Sequence, residues 1–275
     1  MTKVILVLCD ALRDDVATQS MGYLEHLVEA RKAARYTVKA ELPTLSRPLY
    51  ETIHTGLPSS THGIVSNYTI QRSVVPSIFS VAREHGRTTA AAAYCWYSEL
   101  YNRVPYDLVL DRETDDESQL IQHGRFYEAD EYPDKELFAA AGMLLRRFFP
   151  DYLLIHPMGL DTVGHEFGGD SPEYRNQAIV QDQIMANLIP GSLLAGYTVL
   201  VTGDHGMNAD KQHNGTLPDV RHVPLYIILP PDSPFTAQLP LGQHGGLVSQ
   251  LALAPTILTI MGLPVPATMQ HPALV

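Results

Sequence analysis

The stretch YTVLVTGDHG (197–206) decides how this chain is read. An unbroken run of apolar and β-branched residues ends abruptly on Gly203, Asp204, His205 and Gly206. A run without polar alternation is the pattern of a strand covered on both faces, as in a mostly parallel sheet. Similar runs occur at KVILVLCD (3–10), TTAAAAYC (88–95), DLVL (107–110), YLLIHP (152–157) and VPLYIIL (223–229). Helix-like segments separate them at 20–35, 48–56, 74–86, 134–149, 172–189 and 246–262, and Ser171-Pro172 reads as a cap followed by a first-turn proline. The alternation predicts an α/β fold, a three-layer αβα sandwich with a mostly parallel central sheet, in one domain over 1–275. Segment 97–135, which holds DRETDDE (111–117), breaks the rhythm and reads as a solvated surface loop or as an insertion lying over the site like a lid.

Composition narrows the function classes. The chain has 275 residues, 45% of them hydrophobic, and a formal net charge of −11. That balance excludes a reader of nucleic-acid duplexes, which needs a basic face. It does not exclude a small anionic substrate, because bound metal reverses a local field. The two cysteines, Cys9 and Cys95, lie in strand-like runs and read as buried free thiols of a reducing compartment. The apolar core VILVL near the N-terminus is too short for a secretory signal, and no run approaches the ~20 residues of a membrane helix. The expectation is a cytoplasmic protein without a membrane partner, its oligomeric state open.

Chemistry gathers at the ends of the predicted strands, where α/β sheets place their sites. The first strand ends on Asp10, and the strand at 152–157 is followed by Asp161 and His165, spaced for one helical face. The strand at 197–203 runs into Asp204 and His205, and His213 and His222 come shortly after. Carboxylates with imidazoles suit Zn²⁺ or Mn²⁺, and these are enough ligands for two ions. The corner LPTLSRPLYETIHTG (42–56) adds a hydroxyl, Ser46, at the start of a predicted helix. A helix cap and an activated nucleophile both account for that hydroxyl.

Asp10, PTLSRP, TGLPSSTHGIVSN (55–67), DTVGHEFG (161–168) and TGDHGM (202–207) occur in an order that resembles the alkaline phosphatase superfamily, and within it the nucleotide pyrophosphatase/phosphodiesterase branch. Asn67 follows Ser46 at the spacing that branch has between its nucleophile and its phosphate-holding asparagine. The resemblance implies one divalent ion, zinc or manganese, on Asp10, Asp204, His205 and Ser46. It implies a second ion on Asp161, His165 and a further histidine, for which His213 is preferred over His222 and His244. It implies attack by Ser46 on phosphorus, a phosphoserine intermediate, and a phosphate ester or nucleotide as substrate.

The chain also departs from that branch. Serine replaces the usual threonine, Leu45 stands where a lysine often precedes the nucleophile, and Arg47-Pro48-Leu49 replaces Phe-Pro-Asn. Leu45 and Arg47 are therefore the candidate substrate-binding residues. Arg47 either clamps a free phosphate oxygen, which favours a monoester, or pairs with an acid. The sulfatase pattern needs a basic residue where this chain has Tyr50, so conversion of Ser46 to formylglycine is not expected. A phosphodiesterase or nucleotide pyrophosphatase is the leading reading. A phosphomonoesterase or phosphonate hydrolase, and a metal-binding protein without activity, are the alternatives.

Overall fold

A computed structural model describes residues 2–275. Its strands in chain order are β1 (Lys3–Cys9), β2 (Ala33–Lys39), β3 (Thr89–Tyr94), β4 (Glu113–Asp115), β5 (His123–Tyr127), β6 (Tyr152–Ile155), β7 (Tyr197–Gly203), β8 (His222–Ile228) and β9 (Gly242–Ser249). The helices are α1 (Asp14–Ser20), α2 (Gly22–Glu29), α3 (Ser46–Thr55), α4 (Ser59–His62), α5 (Ile78–Glu84), α6 (Trp96–Tyr101), α7 (Asp134–Phe148), α8 (Gly159–Phe167), α9 (Pro172–Leu194), α10 (Pro218–Arg221) and α11 (Leu253–Ile260). The strands form one sheet in the order β4-β5-β3-β6-β1-β7-β8-β2-β9. The centre, β5-β3-β6-β1-β7, is parallel throughout; β8 is antiparallel to both its neighbours, and β4 to β5.

Side chains along β1 alternate between two cores, as the pleat requires. Val4, Leu6 and Leu8 pack on one face with residues of α3, α5 and α11. Ile5, Val7 and Cys9 pack on the other with residues of α1, α2, α7 and α9. Each such fully buried aliphatic contributes about 1.5–3 kcal/mol relative to exposure. The sheet is thus sandwiched between helical layers. Among the described residues no helix is long and apolar enough to cross a membrane.

Four expectations on local structure are corrected. DLVL (107–110) is a turn, with Val109 87% exposed. Asp107 closes it by accepting the N–H groups of Val109 and Leu110 at 2.9 and 3.0 Å, a local competitor to strand pairing. Segment 20–35 divides at Met21 into α1 and α2 and then enters β2, where pairing with β8 and β9 overrides the helical preference of Ala33 and Ala34. Segment 246–262 begins as strand β9, because Gly245-Gly246 disfavours a helix, and only Leu253–Ile260 is α-helical. Segment 97–135, read as a loop or lid, supplies β4 and β5 to one end of the sheet.

One buried acid lies just past the Ser46 corner. Glu51 on α3 is fully buried and accepts hydrogen bonds from Ser73 Oγ (2.5 Å) and Tyr101 OH (2.7 Å). Burial outweighs those two bonds and pushes its carboxyl from 4.5 up to about 7. Below pH 4.5 neither folded nor unfolded chain bears this charge. Between 4.5 and 7 the unfolded chain releases the proton first, so stability falls as pH rises, by up to about 3 kcal/mol from this group. Glu51→Gln removes that slope, and Ser73 keeps Val75 O as an acceptor at 3.3 Å. Urea unfolding at pH 5 and pH 8 should show the variant gaining on the wild type by about 1–3 kcal/mol at the higher pH; equal slopes would mean that Glu51 ionises normally.

Candidate active site

Sheet register builds the first half of the site. β1 and β7 pair so that Cys9 lies opposite Gly203, which sets the next residues, Asp10 and Asp204, side by side. Gly203 is required there, since a Cβ would stand 2.7 Å from Leu12 O. The chain then turns sharply at Ala11, whose φ of 64° is left-handed, a strained state for a residue with a Cβ. The strain is held: Ala11 N–H donates to Asp204 Oδ1 at 3.0 Å, and Tyr174 OH donates to the Ala11 carbonyl.

The second half comes from α8, which follows β6. Asp134 on α7 receives the first N–H of α8, from Gly159, at 3.2 Å and is itself held by Gln177 and Gln181 at 2.8 Å each. The helix so anchored carries Asp161 in its first turn and His165 one turn later, with His165 Nε2 3.5 Å from Asp161 Oδ1. His213 arrives on the loop after β7, its Nε2 3.9 Å from the same oxygen, and stacks on His205 with ring centroids 4.0 Å apart.

The three imidazoles are oriented alike. Nδ1 of His165, His205 and His213 donates to the carbonyls of Lys211, Gly206 and Thr44, at 3.0, 3.1 and 2.8 Å. Each therefore turns its Nε2 inward, the arrangement of a metal-ligating histidine. His205 Nε2 is 3.3 Å from Asp204 Oδ2, 3.5 Å from Asp10 Oδ1 and 3.2 Å from Ser46 Oγ. Two sets of potential ligand atoms, Asp10-Asp204-His205 and Asp161-His205-His213, each lie within 4.8 Å of one another. His165 stands at the more exposed side of Asp161, outside the tighter set.

Charge in this cluster is unbalanced. Asp10 Oδ1, Asp161 Oδ1 and Asp204 Oδ2 are buried without a hydrogen-bond partner. Among the described residues their only ion-pair contacts are with histidines. Burial, then the charge of Asp10, holds the carboxyls of Asp161 and Asp204 well above the usual range. Asp10 stays ionised, at about 2, because hydrogen bonds and charges from His156, His205 and Tyr50 outweigh its burial. Burial and the neighbouring His213 drive His205 down to about 3, so it is neutral. Carboxyl oxygens crowded against imidazoles, with no lysine or arginine among their partners, are a donor set that fits a divalent ion.

Ser46 is the first residue of α3, not its cap. Leu45 occupies the cap position in extended conformation and makes no side-chain cap bond. The Ser46 hydroxyl is buried against His205 instead. Asn67 docks beside it, its Oδ1 accepting the N–H of Arg47 at 3.1 Å. Arg47 and Leu45 are placed differently from the ligand residues. The Arg47 guanidinium is buried, bonded to Glu99 Oε2 at 2.6 Å and stacked 4.5 Å over Trp96; Leu45 is half-buried. His222 starts β8 opposite Lys39, and half-buried His244 stacks on Tyr36 with its Nε2 on Pro240 O, so neither joins the cluster.

Two participants escaped the sequence reading. Tyr50 and His156 are fully buried, and both donate to Asp10 Oδ2. The one available signal was position: His156 closes the run YLLIHP, and Tyr50 lies one helical turn past Ser46.

This arrangement of strand ends, potential ligands and a helix-borne hydroxyl sits on an alkaline-phosphatase-like fold. The chain belongs to the type I phosphodiesterase / nucleotide pyrophosphatase family, whose sequence model matches residues 4–219. It is 25% identical to the human GPI ethanolamine phosphate transferase 2 catalytic subunit over 279 residues, 96% of this chain and 27% of that protein. It is 32% identical to GPI ethanolamine phosphate transferase 2 of Candida albicans over 122 residues, 42% of this chain and 14% of that one. The chain thus spans about a quarter or less of the length of these two relatives. In fold it matches murine ectonucleotide pyrophosphatase / phosphodiesterase 5 in complex with AMP, at a TM-score of 0.69 and 13% identity, over 97% of this chain and 96% of that one. It likewise matches a phosphonate monoester hydrolase from Silicibacter pomeroyi, at 0.65 and 16%, over 100% of this chain and 76% of that one.

The crowded acids make a prediction about the metal-stripped protein. Burial holds the Asp161 carboxyl well above its usual range, a cost to stability that a neutral amide does not carry, so Asp161→Asn should gain about 1–2 kcal/mol and melt several degrees above the wild type in chelator. Added Zn²⁺ should reverse that order, because only the wild type keeps its full ligand set. Thermal scans with and without metal check both halves.

Proposed function

We propose that the protein cleaves phosphodiesters through Ser46, in a site that holds two divalent ions. The observation that carries this reading is the set of three buried, unpartnered carboxylate oxygens facing neutral imidazoles around Ser46 Oγ. Asp10, Asp204, His205 and Ser46 would hold one ion, and Asp161, His165 and His213 the other. When bound, the ions supply positive charge that favours the serine alkoxide and offsets charge on the phosphate.

The protein's own groups do the rest. The backbone of α3 fixes Ser46 at a helix start. Ser46 Oγ attacks phosphorus, the bond to one ester oxygen breaks, and a phosphoserine diester forms. Asn67, held on the N–H of Arg47, lies where its amide nitrogen can donate to a phosphate oxygen. A second nucleophile then releases Ser46. Arg47 is bonded to Glu99 through Nη2 alone, and its Nε and Nη1 are buried without a partner, so the diester reading rests on the family and not on Arg47.

A second reading concerns that last step. Relatives aligned over 96% of the chain are named as ethanolamine phosphate transferases, which favours an alcohol as the second nucleophile in place of water. The ion ligands and Ser46 serve both outcomes equally.

The test is paired turnover of bis-p-nitrophenyl phosphate and p-nitrophenyl phosphate by zinc-loaded protein, with Ser46→Ala and Asp161→Ala. The diester should be preferred, and each variant should lose at least about 10³-fold while remaining folded. Preference for the monoester would overturn the diester assignment. A phosphoryl-alcohol product in the presence of ethanolamine or glycerol would select transfer over hydrolysis.

A further inference from the structure

We infer that Tyr50 and His156 are positioning residues that hold Asp10 to a single ligand oxygen and so make its site select a four-coordinate ion. The inference rests on the two-ion reading above. A carboxylate can bind an ion through one oxygen or through both, and the choice decides the coordination number. At Asp10 that choice is made in advance. Oδ2 accepts two hydrogen bonds, one from Tyr50 OH and one from His156 Nε2 at 3.2 Å, while Oδ1 has none. The proton on His156 is on Nε2 because Nδ1 accepts the N–H of Tyr94, at 3.5 Å. Both in-plane lone pairs of Oδ2 are thereby used.

Asp204 repeats the device with the backbone. Its Oδ1 takes the Ala11 N–H, and its Oδ2 is left without a partner. What remains free is one atom each from Asp10, Asp204, His205 and Ser46. Four single-atom donors of mixed oxygen and nitrogen suit tetrahedral Zn²⁺. They suit Ca²⁺ or Mg²⁺ poorly, since those ions take six or more oxygens.

The two donors are also rigid. Tyr50 stacks on Tyr97 with centroids 4.7 Å apart, and His156 meets the Tyr50 ring edge-on at 4.7 Å. Neither reaches the other carboxylates of the cluster by hydrogen bond, so their effect is specific to Asp10. Tyr50 stands where the sulfatase pattern has a basic residue, so here a neutral hydroxyl donor lies on the helix that carries Ser46.

Metal affinity tests this without turnover. Dissociation constants for Zn²⁺ and Mn²⁺ would be measured on metal-stripped protein by competition with a chromogenic chelator, with Asp10→Ala identifying the site concerned. Tyr50→Phe should weaken Zn²⁺ there by about 10–100-fold and Mn²⁺ by less, narrowing the gap between the two metals. His156→Gln, which keeps an N–H donor, should retain most of the affinity that His156→Leu loses, and this pair decides the matter if Tyr50→Phe does not fold. Tyr97→Phe is the control, since its buried hydroxyl has no partner and its loss should change neither constant. Unchanged constants in Tyr50→Phe, or equal losses in both histidine variants, would overturn the inference. Equal ion binding by wild type and Asp10→Ala would instead overturn the two-ion reading on which it rests.

Discussion

Three carboxylates buried against one another, with no lysine or arginine to balance them, are the constraint on which the rest depends. At ~4 Å, two like charges repel by about 4 kcal/mol at the effective dielectric of a protein. A flexible scaffold would splay such groups apart or flood them with water. This one does neither, because each acid is anchored through backbone. Asp10 and Asp204 extend two paired strands whose register is fixed over seven residue pairs. Asp161 rides a helix whose first amide is bonded to buried Asp134. The cores on both faces of the sheet supply the free energy that keeps the repulsion in place.

The corner that carries Ser46 is integrated by the same means. Ser46 opens α3, whose following residues disappear into the core beneath the sheet: Leu49 and Ile53 are fully buried. Two histidines on the way are locked and uncharged. His54 donates from Nδ1 to Tyr50 O and accepts Tyr152 OH at Nε2, while His62 accepts the Ile64 N–H at Nδ1 and donates to Thr52. Burial pushes each down to about 4. They are structural histidines within a histidine-rich chain, and the tautomers that their partners impose mark them as such.

What the sequence disclosed follows the range of the interactions concerned. Asp10, Asp204 and His205 were legible because a strand end is a local event, and Asp161 with His165 because helical spacing is. The phosphodiesterase family was legible from the order of those motifs, and the sandwich from its buried runs. The strands β2, β5 and β9 were not, since they owe their form to pairing partners far along the chain and not to their own propensities. The partner of Arg47 lies 52 positions away at Glu99, and the donors to Asp10 lie 40 and 146 positions away. No local pattern announces contacts of that span. DLVL misled for the opposite reason: Asp107 uses its own near neighbours, and a four-residue apolar run cannot outbid them.

The carbonyls that orient His165, His205 and His213 belong to Lys211, Gly206 and Thr44. A carbonyl oxygen is common to every amino acid, so no side-chain replacement at Lys211 or Thr44 deletes the acceptor. The aim of the imidazoles is stored in the path of the main chain. Apart from His213 and Asn208, whose side chains are used, residues 208–217 are thus free to drift in identity over evolutionary time, provided the loop is neither lengthened nor shortened. A single inserted residue there would do more harm than many exchanged ones, for it would move Lys211 O and turn His165 away while leaving every ligand in the sequence.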